Sequence, residues 1–239
     1  LQYYYIHHDD AGRSLLRELR DAAQRGVRVR LLVDDFFAAE IDDLLTGLAS
    51  FPNVEVRLFN PMPLRSGAPV LRLVLSPGEF QRYNHRMHNK AWIADGRVAV
   101  VGGRNIGVEY FGAGDEVNFR DLDVVLFGPA VAETSAMFDR YWNSAAAVPL
   151  AGLSRAPEGA FEDIADAIET EAKSAEAQRY LQRVTASPRV QDYAGKRLEP
   201  FWSDRIHLVA DPPLKWEADS RSEWLVHRIE RDLSAANAK

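Results

Sequence analysis

Eighteen consecutive residues of this chain hold side chains suited to binding and attacking a phosphate diester: His88-Asn89-Lys90, then Asp95, then Gly102-Gly103-Arg104-Asn105. An imidazole can attack phosphorus or hand over a proton near neutral pH. An ammonium sets compact positive charge against phosphoryl oxygens, and electrostatic stabilisation is the main service a protein gives to that reaction. Two glycines let the backbone approach a ligand closely, since no side chain stands in the way, and Asn105 adds an amide donor. No metal is needed for such an arrangement. The chain has six histidines, and none of His7, His8, His85, His207 or His227 has a lysine two residues later, so the pattern occurs once. Taken singly, a strand histidine is more often structural than catalytic and Gly-Gly is usually a turn. The inference rests on the joint spacing.

The surrounding elements must bring these residues together. From His88 the pattern has period two, which sends His88, Lys90 and Trp92 to one side and Asn89, Ala91 and Ile93 to the other. Asp95-Gly96 is a hairpin turn signal and Val98 to Val101 the returning strand, which carries Asn105 back towards His88. Upstream, Tyr3 to Ile6 reads as a strand and Gly12 to Arg25 as a helix stopped by Gly26. Val27 to Val33 reads as a strand entering a covered sheet, Ile41 to Leu48 as a helix and Val54 to Phe59 as a strand. Downstream come a strand at Leu122 to Phe127 and a helix from Pro129, burying Val131, Phe138, Tyr141 and Trp142. Strand–helix alternation at these spacings predicts an α/β sheet with helices packed on it. The unit closes near Leu150. Gly152 to Gly159 reads as a linker, Phe161 to Val184 as a polar helix, Arg205 to Val209 as a strand and Arg221 to Leu233 as an amphipathic helix.

Composition narrows the field. A net charge of −6 argues against a general nucleic-acid binder. Against that average, Arg82 to Lys90 is basic and contains no acid, and reads equally as a solvated loop or an anion-attracting rim. The absence of cysteine excludes disulfides and thiol catalysis. No apolar run approaches the roughly 18 residues of a membrane span. The chain starts at Leu1 inside a strand, from which a trimmed amino end is expected. His7-His8-Asp9-Asp10 could suggest metal ligands, but neighbouring strand residues point to opposite faces, so no metal site is expected there. Asp34-Asp35 reads as a solvated strand end or helix cap, and Tyr3-Tyr4-Tyr5 as core.

At the motif residues the chain resembles the phospholipase D superfamily, whose signature is His-x-Lys-x4-Asp followed by Gly-Ser or Gly-Gly, one residue, and Asn. Gly103 stands where many members carry serine, which removes one hydroxyl contact to phosphate. Tyr4 to Asp10, Arg28 to Asp35, Val54 to Pro61, Arg86 to Lys90, Gly102 to Phe111, Asp121 to Pro129 and Phe138 to Ser144 are similar to the bacterial cardiolipin synthase C-type branch. Ala210-Asp211-Pro212-Pro213-Leu214-Lys215 is similar to the start of that branch's second half.

The resemblance implies a phospholipase D-like mixed sheet with helices on both faces, an α-β-α sandwich. Residues 1–150 would form this lobe, 151–200 a helical linker and 201–239 the truncated start of a second lobe. It implies catalytic roles for His88, Lys90, Asn105 and Asp121, with Asp123 as the alternative acid, and phosphate binding by His88, Lys90, Gly103 and Asn105. Asp95 is expected to be structural. No cofactor and no metal are implied. The implied reaction is phosphatidyl transfer through a phosphohistidine. Its lipids would be phosphatidylglycerol and phosphatidylethanolamine, and its setting the bacterial inner membrane, peripherally or by an anchor. Phospholipid or nucleic-acid hydrolysis and a non-catalytic fragment are the alternatives. A second motif-bearing lobe, from a missing half or a homodimer mate, would complete the site, and nucleic acid is not the favoured partner.

Overall fold

The computed structural model describes residues 1–62, 85–154, 169–170, 173–195, 199–214 and 224–236. Residues 82–84 of the basic run, 155–159 of the linker, 161–168 and 171–172 of the polar helix, Lys215, and 221–223 of the last helix lie outside the described residues.

Helix α1 (Asp10–Gln24) begins where the Asp9 carboxylate accepts from the Gly12 amide at 2.9 Å, satisfying one of the unpaired donors of its first turn. Its stripe Leu15, Leu16, Leu19 and Ala23 is buried, and Gly26, at φ +85°, turns the chain back towards the sheet. Strand β2 (Val29–Asp34) pairs in parallel with β1 (Gln2–Tyr3) and with β3 (Val54–Phe59), Val29 facing Val54. Between β2 and β3 lie a one-turn helix, α2 (Asp35–Ala38), and α3 (Asp42–Leu48). Strand β1 is shorter than Tyr3 to Ile6 because the chain past Tyr3 bonds to an irregular segment instead: Ile106 N donates to Tyr5 O at 3.2 Å and His7 N to Ile106 O at 2.8 Å.

Strands β4 (Ala91–Ala94) and β5 (Val98–Gly102) form a hairpin. Its two turn residues, Asp95 at φ +54° and Gly96 at φ +64°, both adopt the left-handed conformation that two-residue hairpins need. Strand β6 (Asp123–Phe127) adds to β5, and Pro129 opens helix α4 (Pro129–Trp142) at its first turn. Three residues, β7 (Ala147–Pro149), then pair with β3. The result is a seven-stranded mixed sheet in the order β6-β5-β4-β1-β2-β3-β7.

Alternate residues of the central strands enter different cores. Leu31, Val33, Val56 and Leu58 pack with α1 and α3, while Leu32, Phe59 and Ala91 pack with Met137, Phe138 and Trp142 of α4. The continuously apolar run in β2 is therefore apolar on two covered faces. The fold is the α/β sandwich that the alternating pattern predicts.

Two described segments after residue 154 pack on this lobe. Helix α5 (Ala175–Thr185) rests Tyr180 on the core beside α1 and is followed by α6 (Pro188–Ala194). The strand expected at Arg205 to Val209 does not form. Residues 205–209 have no ladder partner, and an apolar alternation becomes a strand only beside an open sheet edge. The segment instead runs along α4: Leu208 N donates to Glu133 Oε2 at 2.7 Å, and Leu208 and Ala210 pack on the core cluster that α4 covers. Helix α7 (Leu225–Ala235) leaves Val226, Ile229 and Leu233 exposed.

Candidate active site

The segment 85–90 belongs to no strand, and it delivers His88 and Lys90 to the start of β4 beside β1. What fixes it is a buried ion pair. Asp34, at the carboxyl end of β2, is wholly buried and accepts from Arg86 Nε at 2.7 Å, from Met87 N at 2.8 Å and from Phe36 N at 2.9 Å. Arg86 Nη1 also reaches Asn60 O at 3.1 Å. Burial pushes the Asp34 carboxyl up to about 6, opposed by the Arg86 charge and by these hydrogen bonds. The expectation of a solvated strand end at Asp34-Asp35 is thus corrected. Both residues are buried, Asp34 caps α2, and Asp35 Oδ2 accepts from Met62 N at 2.7 Å.

Lys90 is 6% exposed, with its ammonium 2.8 Å from His88 Nδ1, 2.8 Å from His88 O and 5.4 Å from the centre of the Tyr4 ring. The Tyr4 ring also lies against the imidazole, centroids 4.7 Å apart. Burial lowers the Lys90 pKa to about 8, while the Asp121 and Asp34 carboxylates pull it back up. Burial, then the Lys90 charge, lowers that of His88 below the ordinary histidine value, and Asp121 opposes. A neutral ring whose Nδ1 accepts from an ammonium carries its proton on Nε2.

Asn105 is buried just past the end of β1. Its Oδ1 accepts from Tyr5 N at 3.3 Å and its Nδ2 donates to Tyr110 Oη at 3.1 Å, which fixes the amide plane and leaves one N–H. A Cβ on Gly103 would meet the Asp121 carboxylate and push it from its place. The two acids after β5 divide their work. Asp123 forms an ion pair with Arg104, Oδ2 to Nε 2.7 Å, whereas Asp121 bears on His88 and Lys90 through its charge. Asp95 is exposed at the hairpin turn, remote from this cluster.

Three features escaped the sequence reading. Tyr4 is a wall of the site and not core, a role hidden by its place in a tyrosine run whose Tyr3 is core. Arg86 is a structural clamp, although it sits in a run read as rim or loop. The run His7 to Asp10 also converges further than expected. His7 and Asp9, two apart, share a face and meet Glu109, their ligand atoms all within 4.8 Å. Each of the three has an internal partner: His7 Nε2 lies 3.0 Å from Glu109, and Asp9 accepts from Gly12 N and, at 2.8 Å, from Val108 N.

This geometry has relatives. A family model described as cardiolipin synthase, PLD-like domain, matches residues 1–142. The chain belongs to that family. Cardiolipin synthase C of Escherichia coli (strain K12) is 42% identical over 229 residues, which are 95% of this chain and 47% of that protein. A Staphylococcus aureus cardiolipin synthase (strain Mu50) is 34% identical over 148 residues, 61% of this chain and 27% of the relative. The chain thus spans under half the length of these curated relatives. No helix among the described residues is long and apolar enough to cross a membrane.

Proposed function

We propose that this chain supplies one motif of a phosphodiester-transfer site that moves a phosphatidyl group between phospholipids without a metal. The observation that carries the reading is the contact of the buried Lys90 ammonium with the exposed His88 imidazole, 2.8 Å, with the Asp121 charge bearing on both. At rest Lys90 occupies Nδ1. An arriving phosphate diester draws the ammonium to its own oxygens, the ring takes the other tautomer with Nδ1–H turned to Asp121, and the Nε2 lone pair is freed. The Nε2–phosphorus bond forms as the phosphorus–oxygen bond to the departing headgroup breaks, and that oxygen takes a proton from a second imidazole. The acceptor hydroxyl then attacks phosphorus, returns its proton to that imidazole and displaces His88. Lys90, the Asn105 amide and the backbone at Gly103 bind the phosphoryl oxygens.

The second imidazole belongs to another His-x-Lys unit, which this sequence does not contain. A partner half accounts for it, and with it residues 201–239 as the start of that half. The lipids are phosphatidylglycerol and phosphatidylethanolamine, and the site works at the bacterial inner membrane, peripherally or through an anchor. Hydrolysis of nucleic acid is disfavoured by the net charge of −6. The test supplies labelled phosphatidylglycerol with phosphatidylethanolamine in vesicles, and separately single-stranded DNA, each with chelator, to the two-motif protein. Labelled cardiolipin is the expected product. Turnover of DNA alone would overturn the lipid assignment.

A further inference from the structure

The segment Ala210-Asp211-Pro212-Pro213, set apart by sequence and given no role by the chemistry above, lies at the site. Tyr141 of α4 holds it: the hydroxyl donates to Asp211 O at 3.0 Å, and Asn89, the residue between His88 and Lys90, lines the same cavity as Tyr141 and Asp211. Burial raises the Tyr141 pKa to about 12, so the hydroxyl keeps its proton for that bond. A second tie runs from Leu225 N to Asp211 Oδ1 at 2.7 Å.

Between this segment and the motif is a cavity of about 70 Å³, with His88, Asn89 and Arg86 on one wall and Asp211, Pro212 and Pro213 on the other. At ~10–15 Å³ for each water-sized group, it has room for about five, which fits a three-carbon polyol or ethanolamine and excludes an acyl chain or a nucleobase. The prolines offer a flat apolar wall without donors. Asp211 brings a negative charge that accepts from a hydroxyl or an ammonium. Arg86 is committed to Asp34 and gives the cavity no anion-binding character of its own.

We propose that Asp211-Pro212-Pro213 and Tyr141 build a headgroup subsite beside His88, which seats the small hydroxyl- or ammonium-bearing alcohol that leaves or attacks phosphorus. The subsite deepens the transfer reading and rests on it. It gives residues 208–213 a task in this half of the site: they bring the reacting alcohol within reach of the imidazole by closing a wall that the sheet lacks.

The experiment is an NMR titration of this chain with three water-soluble probes: inorganic phosphate, glycerophosphoglycerol and glycerophosphoethanolamine. Phosphate is expected to move the His88, Lys90 and Asn105 signals and to leave those of Asp211 and Tyr141 in place. The two deacylated lipids are expected to move Asp211, Tyr141 and Asn89 as well, and the stronger response tells which headgroup the cavity prefers. Asp211→Asn keeps the acceptor for Leu225 N and removes the charge. It should weaken the deacylated lipids about tenfold and leave phosphate within about twofold. Tyr141→Phe, which frees the wall, should weaken them in the same selective way. If the deacylated lipids move nothing beyond what phosphate moves, or if Asp211→Asn weakens phosphate equally, the subsite is wrong and the transfer reading survives. If Lys90 and Asn105 respond to no probe, the transfer reading itself falls, whatever Asp211 does.

Discussion

At the residue scale the site is governed by one crowded cation. Lys90 is placed where burial holds its pKa near 8, so its charge, and the phosphate grip that depends on it, is lost as pH rises through that value. Burial and the Lys90 charge lower the His88 pKa, which favours the neutral imidazole, and Asp121 opposes them. The kcat/KM profile of the two-motif protein should therefore fall on the alkaline side near 8, and Lys90→Ala should cost about 10²–10³-fold in kcat. Asp121→Asn removes the charge that supports both protonated forms, so it should move both limbs to lower pH. Asp123→Asn should move neither and only loosen Arg104. An Asp123→Asn profile displaced like that of Asp121→Asn would reverse the assignment of the two acids. The motif residues themselves were legible from their spacing. The division between Asp121 and Asp123 was not, because both precede or begin the same strand and only the Arg104 ion pair separates them.

At the element scale, neighbouring glycines and one ion pair hold the motif in register. A Cβ on Gly102 would come within 2.5 Å of the Leu122 carbonyl, which is backbone of the adjoining strand and cannot turn aside. A Cβ on Gly103 would meet the Asp121 carboxylate, which can. Gly102→Ala should accordingly lower stability by about 1–3 kcal/mol in urea. Gly103→Ser should leave stability nearly unchanged and displace the pH limbs as Asp121→Asn does. Equal destabilisation by the two would show that both strands adjust alike. Arg86→Ala leaves Asp34 buried without its partner, at a cost of about 3–5 kcal/mol. The sign of its pH dependence follows from the raised Asp34 pKa. Stability from this group is present below its unfolded value of about 4 and lost as pH rises through about 6. Removing Arg86 raises the folded pKa further, so the deficit should be small below about 6 and widen steadily as pH rises above it. A deficit that stays constant with pH would assign Arg86 to packing alone. Strands and helices with long apolar periods were legible in the sequence. The clamp was not, since Arg86 and Asp34 lie 52 residues apart and a buried pair has no local signature. Strand β7 was missed for a different reason: three residues cannot establish a period of two.

At the scale of the whole molecule the question is where the second imidazole comes from. The proposed transfer needs two, the sequence carries one His-x-Lys pair, and the chain spans 47% of the E. coli relative. The strand expected at Arg205 to Val209 bears on this. It was misread because its alternation is real but the segment pairs with neither edge strand of the sheet, β6 or β7, and is taken up by α4 instead. Two arrangements remain, and their concentration dependence separates them. If a second copy faces the first about a two-fold axis, each His88 serves the other's phosphate. Turnover then rises with the square of concentration below the dimer dissociation constant. If the second motif lies in a following half, the chain alone stays monomeric, binds phosphate at Lys90 and Asn105, and turns nothing over. We expect the second, because α7 leaves Val226, Ile229 and Leu233 exposed, which is unrewarding in a closed dimer of single-motif lobes but is what an element of an adjoining lobe requires. Sedimentation together with the transfer assay, run across a hundredfold range of chain concentration, decides it. Quadratic growth of activity alongside a dimer peak would sink the adjoining-half arrangement, whereas a monomer that stays inactive until the second motif-bearing half is added would establish it.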